Sequence, residues 1–276
     1  LVTVTIVKVG YIGTTTLIDA LLDERSARSD IKIRVVSSSV QMGEEDAGDA
    51  ARIAAGIPSD LYIAISPNVS LPGPTKVREV LKATGKPIIV IGDEPSRKAA
   101  KGLAEEGIGS IVIYGDPMIS AKAPFLDPVE MALFNSDVLR VLAVTGAFRL
   151  VHTTLDRVIE EIKAGQKPQL PQLIINKTAA LAASDIKNPY AYAKAMAAYE
   201  ASKEVASLST EAVFKIEDKN EAIPVLAAAH ELMRMAAKLA DEAREIEKAN
   251  DTAVRLAHFK KGDLRRRVRL FDEPEK

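Results

Sequence analysis

The residues able to do chemistry are few, and their spacing excludes more reactions than it suggests. There is no cysteine, so thiolate nucleophiles, disulfides, zinc–thiolate sites and cysteine-held clusters are ruled out together. Three histidines are present, His152, His230 and His258. The run His230-Glu231-Leu232-Met233-Arg234 begins like a zinc-peptidase helix but carries Arg where the second histidine must stand, so no metal is expected there. Neither a G-x-S-x-G elbow nor a G-x-x-x-x-G-K-[ST] phosphate loop occurs. What remains is amides, hydroxyls and scattered carboxylates, a set suited to chemistry that a bound organic molecule carries.

Most of that set falls at the ends of apolar, β-branched runs. Val2 to Val9 is followed by Gly10-Tyr11-Ile12-Gly13-Thr14-Thr15-Thr16 and then an apolar helix face at Leu17, Leu21 and Leu22. This is a strand, a glycine turn and a helix start, whose free N–H groups attract anions. The spacing is G-x-x-G and not the G-x-G-x-x-G of dinucleotide folds, and the second strand, Ile31 to Ser37, ends in serines where an acid for the ribose belongs. A nicotinamide dehydrogenase using NADP, through Arg34 and the serines, therefore stays only as an alternative. Three further exits carry Ser66-Pro67-Asn68, Gly92-Asp93-Glu94 and Gly115-Asp116-Pro117-Met118. If the strands are parallel these exits share one edge, where ligands of open α/β sheets bind, although every strand-to-helix turn favours such residues. The proline-rich stretch after Ser66 reads equally as a stiff cleft wall or a rigid connector.

Alternating strands and helices up to about residue 126, then almost continuous helical periodicity, give an α/β fold. The reading is a Rossmann-like, mostly parallel sheet domain over 1–126, followed over 127–276 by a helical bundle with a small accessory β segment. Helices are expected at Glu44 to Ala55, from Thr75 to Gly85, after a Ser96 cap, and from Asp127, with Pro128 and Glu130 completing a capping signal. Further helices run over Leu150 to Ala164, from Asn188 to about Ala206 and from Glu221 to Ala249. Leu173 to Ile175 and Thr210 to Ile216 are expected to pair as the accessory sheet, and Lys260 to Lys276 to be a loosely held or partner-paired tail. Asn135, Ser136 and Asp137 sit together on the helix from Asp127, either bridging neighbouring helices or facing a ligand.

The 276 residues carry a net charge of -1, with 27% charged and 47% hydrophobic positions. No general field for nucleic acid or anionic lipid results, and Arg265-Arg266-Arg267 reads as a solvated or paired run. Aromatics are 4% with no tryptophan, which leaves little for base stacking. Leu1 to Val9 is too short for a signal core, and no apolar run reaches the roughly 20 residues of a membrane span, so a cytoplasmic protein is expected.

Four stretches, PGPTKVREVL at 72–81, DPMISAKAPFLDPVEMALFNSDVLRVLAVTGAFR at 116–149, NPYAYAKAMAAYE at 188–200 and AAKLADEAREIEKANDT at 236–252, are long and unusual. They closely resemble the coenzyme F420-dependent methylenetetrahydromethanopterin dehydrogenases of methanogenic archaea, and the resemblance extends from the first strand to about His258. It implies an α/β domain, a helical bundle and a small β segment assembled into a homohexamer. It also implies reversible oxidation of methylenetetrahydromethanopterin to the methenyl form, with a hydride passed directly to the deazaflavin and no protein nucleophile, acid, base or metal. On that reading coenzyme F420, a dissociable co-substrate, is assigned to the strand exits. Gly10, Gly13 and Thr14 would lie near its polar ring or phosphate, with Ser66, Asn68, Gly92, Asp93, Asp116 and Met118 around it. The pterin is assigned between that edge and the helices, at Asp127, Asn135, Asp137, Asn250, Asp251, Thr252, Arg255 and His258, with a cap or interface bond the alternative role of each. A non-catalytic scaffold built on the alanine-rich helices is the reading from a different class.

Overall fold

In a computed structural model of the chain, which describes residues 1–119 and 125–275, six short β-branched runs form one parallel sheet. They are β1 (Val2–Lys8), β2 (Ile31–Ser37), β3 (Leu61–Ile65), β4 (Ile88–Asp93), β5 (Gly109–Ile113) and β6 (Gln172–Ile175), in the order β2-β1-β3-β4-β5-β6. Side-chain alternation divides them between two layers. Ile6, Ile63, Ile65, Ile89, Ile91 and Ile111 face one side, under α1 (Gly13–Leu22), α5 (Pro128–Val144) and α6 (Ala147–Lys163). Val7, Tyr62, Ala64, Ile88 and Val90 face the other, under α2 (Glu44–Ala55), α3 (Pro72–Lys82) and α4 (Ala100–Glu105). Because β1 pairs with both β2 and β3 in parallel, the chain reverses its direction of travel there and opens a crevice at the C-terminal ends of β1 and β3.

The second half closes over the isoleucine layer. After α7 (Lys177–Ala183), α8 (Pro189–Phe214) and α9 (Lys219–Ala249) form a long pair, and small residues on both, Ala191, Ala195 and Ala198 against Ala236, Ala240 and Ala243, are fully buried. Side-chain caps start these helices as their sequences suggest: Asp127 accepts from Glu130 N, Asn176 from Ala179 N, and Asn188 from Tyr190 N and Ala191 N.

Several expectations are corrected. Thr210 to Ile216 is no strand, because Thr210 to Phe214 continue α8 along α9. Leu173 to Ile175 do extend, but as β6 paired to β5, so a segment beyond residue 126 completes the sheet. The accessory β segment is instead an antiparallel hairpin of β7 (Arg255–His258) and β8 (Leu264–Arg267), whose second strand lies within what read as a loose tail. Ser96 does not cap; it is buried in a 3-10 turn, Glu94–Ala99, and its hydroxyl accepts from Val69 N at 3.1 Å. The loop expected across 115–126 includes 120–124, which lie outside the described residues.

Candidate functional site

The strand exits do share an edge, and a buried carboxylate organises it. The Gly13-Thr14 turn starts α1 with its N–H groups pointing outward, as such turns must. They meet Asp116, which leaves β5 and has no exposed surface. Gly13 N donates to Asp116 Oδ1 at 2.5 Å, Thr14 N to Oδ2 at 3.1 Å, and the Thr14 hydroxyl to Oδ2 at 2.5 Å. The anion cradle anticipated at Gly13 and Thr14 is thus filled from within the chain. Burial outweighs these three bonds and lifts the Asp116 carboxyl to about 6. A side chain at Gly13 would collide with Val138 and Asp116, so the turn must be glycine for this approach.

Around this anchor lie Ser66, Gly92 and Asp93, all buried. Burial first, and then the charge of Asp116, holds the Asp93 carboxyl well above the ordinary range. Among the described residues the Ser66 hydroxyl and Asp93 Oδ1 have no hydrogen-bond partner, which leaves them available to a ligand or water. Gly92 leaves no room for a side chain against Ser96 and the Ser66 carbonyl. Gly10 is left-handed (φ 79°) and covered by Met42 and Pro67. Asn68 is half-buried and turns back on its own loop, accepting from Ser70 N at 2.9 Å, while Met118 packs on the core. Ser37 and Ser38 take part in a local turn, and the exposed Arg34 donates to the Ile33 carbonyl beside it.

The residues assigned to the pterin scatter. Asp127 caps α5, and Glu130, three residues on, turns to His230 Nδ1 at 3.0 Å. His230 lies between Phe125 and Phe134, ring centroids 4.9 and 4.4 Å away, and burial depresses its pKa. Asn135 donates to the Met131 carbonyl of its own helix. Asp137, kept above its usual pKa by burial despite Arg140 at 3.0 Å, belongs to a bridge in which Arg140 also reaches Asp241 of α9 at 2.9 Å. Asn250 donates to the Ile246 carbonyl, Thr252 to Glu247, and Asp251, with φ 52°, accepts from Leu270 N.

The structure does not bring His258 to this edge. Its ring lies at the opposite end of the sheet, where β1 and β2 begin, roughly a strand length or about 20 Å away. Both ring nitrogens are engaged, Nδ1 with Glu24 at 2.7 Å and Nε2 with Asp156 at 2.8 Å. Arg28 binds Asp156 at 3.0 Å and Asp30 at 2.8 Å, and Lys163 adds a third contact to Asp30. Burial alone would lower the pKa of His258, but the two carboxylates raise it, and burial is likewise outweighed at Asp156 and at Asp30, the latter held at about 2. The ligating atoms of His152, Asp156 and His258 lie within 4.8 Å of one another, close enough for a divalent ion, yet the carboxylates already hold the His258 proton. This network is a clasp joining the β7–β8 hairpin to α6 and the sheet.

Sequence reasoning missed the Asp116–α1 contact, which joins residues about a hundred positions apart, and, although it named Arg255 for the pterin, missed the two arginines beside it. Arg149, Arg244 and Arg255 converge on a cleft of about 430 Å³ between α1, the α5–α6 elbow and β7. Arg149 and Arg255 stand in the sequence only as isolated charges on apolar segments, and Arg244 as one of many charges between Asp241 and Lys248.

The profile of the methylene-5,6,7,8-tetrahydromethanopterin dehydrogenase family matches residues 2–275. The chain belongs to that family. It is 49% identical over 274 residues to an F420-dependent methylenetetrahydromethanopterin dehydrogenase of Archaeoglobus fulgidus, covering 99% of each chain. A protein of the same description from Methanothermobacter marburgensis is 46% identical over 98% of each. Among solved structures, an F420-dependent methylene-tetrahydromethanopterin dehydrogenase in complex with methylene-tetrahydromethanopterin and coenzyme F420 superposes with a TM-score of 0.95 over 100% of both chains, at 40% identity. The α/β fold read from the sequence is that of this structure.

Proposed function

We infer that the chain catalyses reversible hydride transfer between 5,10-methylenetetrahydromethanopterin and coenzyme F420, giving the 5,10-methenyl cation and the reduced deazaflavin. One observation carries this: end-to-end likeness, in sequence and in backbone, to an enzyme solved with both molecules. The hydride leaves the one-carbon bridge, and reduction of the deazaflavin takes up one proton besides. Nitrogen lone pairs flanking the bridge stabilise the cation, so the protein's work is to place two rings face to face. Such placement supplies roughly 7–11 kcal/mol of a barrier.

The strand-exit edge suits that work. Asp116 locks β5 to α1 and makes the floor rigid, while Ser66 and Asp93 offer the free polar atoms of a pocket from which water must be excluded. Gly10, Gly92, Asn68 and Met118 shape the same crevice, where coenzyme F420 is proposed to bind. Asp127, Asn135 and Asp137 on α5 form the adjoining wall proposed for the pterin. Assembly into a homohexamer is proposed from exposed apolar side chains that water disfavours, Val129, Met131 and Leu133 on α5, Phe214 on α8 and Met235 on α9. No described helix is long and apolar enough on its own to cross a membrane; with no cysteine to oxidise, a cytoplasmic setting fits.

The test is an anaerobic assay of the purified protein with methylenetetrahydromethanopterin and oxidised coenzyme F420, following loss of the deazaflavin's visible absorbance, with NADP as control acceptor. Bleaching with coenzyme F420 alone is expected. Turnover with NADP, or none with either acceptor in a correctly folded preparation, refutes the reading.

A further inference from the structure

The cleft under the α5–α6 elbow holds more positive charge than its surroundings neutralise. Arg244 of α9 makes no hydrogen bond or ion pair among the described residues. Arg255 spends Nη1 on the backbone carbonyls of Ala253 and Val268 and meets no carboxylate. Arg149 has Asp185 at 2.8 Å, but Asp185 is also approached by Lys187 at 3.9 Å and Arg266 at 4.0 Å. The acids nearest Arg244 in sequence are committed elsewhere, Glu245 to Lys248 and Glu247 to the N–H groups of Lys187 and Asn188 and the Thr252 hydroxyl. Desolvation comes first in depressing the pKa of both Arg149 and Arg244; the neighbouring Arg255 adds to it at Arg244, while at Arg149 the Asp185 carboxylate works against it and Arg244 and Arg266 with it.

Apart from His152, the rest of the cleft is apolar, with Leu17, Leu21 and Phe148 along its wall. Leu17 and Leu21 stand four and eight residues along α1 from Gly13, which at 1.5 Å per residue is about 6 and 12 Å from the strand-exit edge. We propose that this cleft is an oxyanion subsite, in which Arg244 and Arg255, with Arg149 behind them, take a phosphate or carboxylate group belonging to the anionic tail of a substrate whose ring lies at the strand exits. The forked guanidinium suits such groups, and the leucine wall suits the carbon chain leading to them. The assignment to a tail rests on the function proposed above; the oxyanion site itself does not.

Two measurements separate these parts. In the full-length assembled protein, Arg244→Gln is expected to raise KM for one of the two substrates by about 10- to 100-fold, the loss of one charge-assisted contact, with kcat within about twofold. Arg244→Lys should recover part of the loss. Inorganic phosphate should compete with that same substrate in the parent and not in Arg244→Gln. If the enzyme assay fails altogether, phosphate should still raise the parent's melting temperature more than the variant's, which supports a site for a free oxyanion. Unchanged KM together with equal phosphate protection of parent and variant overturns the proposal. So does a fall in oligomeric mass in Arg244→Gln with phosphate protection intact, because the arginine's counter-charge is then a neighbouring subunit.

Discussion

The pairing of Asp116 with the start of α1 makes a quantitative prediction about pH. The carboxyl is fully buried and its pKa is lifted from 3.8 to about 6. A carboxyl whose folded-state pKa is raised contributes stability that is complete below its unfolded value and is lost as pH rises through the folded one. The window here runs from about pH 4 to about pH 6, and two units at 1.36 kcal/mol each make the cost of ionising Asp116 about 3 kcal/mol. Asp116→Asn removes the titration and keeps an oxygen for Gly13 N. The stability of the parent minus that of Asp116→Asn should therefore fall by about 3 kcal/mol between pH 4 and pH 7, with titrations that do not couple to Asp116 cancelling in the difference. In melting temperature this is about 6–12 °C. Asp116→Ala should be worse at every pH, because it strands Gly13 N, Thr14 N and the Thr14 hydroxyl at about 1–3 kcal/mol each. Melting curves at fixed protein concentration across pH 4–7 would read both effects. A difference curve between parent and Asp116→Asn that stays flat across that range would refute the buried-anchor account.

The hairpin clasp runs the same way for a different reason. The raised pKa of His258 means its contribution is complete below 6.5 and fades as pH rises through the folded value, while depressed Asp156 and Glu24 keep their part until strong acid. Hydrogen exchange of 255–267 should accordingly speed up on the alkaline side, and His258→Gln should show the fast exchange already at pH 6; equal protection at pH 6 and 9 would contradict this. At the α5–α6 elbow, Gly146 has φ 89° and its α-carbon lies against the Ala180 carbonyl and the backbone of Ser184. Gly146→Ala combines a left-handed penalty with a clash that no side chain can relieve, so a loss above about 2 kcal/mol is expected; a melting temperature within 1 °C of the parent's would show that the elbow adapts.

Local signals were the legible part of this fold. The strand runs, the helix at Glu44 to Ala55 and the Asp127 cap each depend on residues within one turn of one another, and each formed where its sequence indicated. Thr210 to Ile216 misled because its threonine, valine and phenylalanine favour strands, whereas packing along α9 carried α8 through Phe214. The hairpin strand Leu264–Arg267 shows no alternation of polar and apolar residues, being one leucine followed by three arginines, all half-buried. Its one available sign was Gly262-Asp263, where Gly262 makes the left-handed turn (φ 89°). The contents of the candidate site were less legible still. That Asp116 is a helix anchor, that Asp137 pairs with the arginine bridging α5 to α9 and that His258 faces away from the strand exits are facts about pairs of distant elements.

The filled helix start also bears on which ligand this edge can accept. A dinucleotide fold offers its pyrophosphate the free N–H groups of the first helix. Here those groups at Gly13 and Thr14 are consumed by Asp116, whose ionised form near neutral pH would repel a phosphate placed beside it. The β1–α1 turn therefore suits an uncharged ring, and a ligand's negative charge must find its partner elsewhere. Among the described residues, the arginines of the elbow cleft, one to two helical turns along α1, supply one. A variant that exposes the α1 N–H groups, such as Asp116→Ala, should then gain affinity for inorganic phosphate at the turn even as it loses stability. The same variant showing no added phosphate protection in the melting assay would mean that charge was never what kept phosphate from this edge.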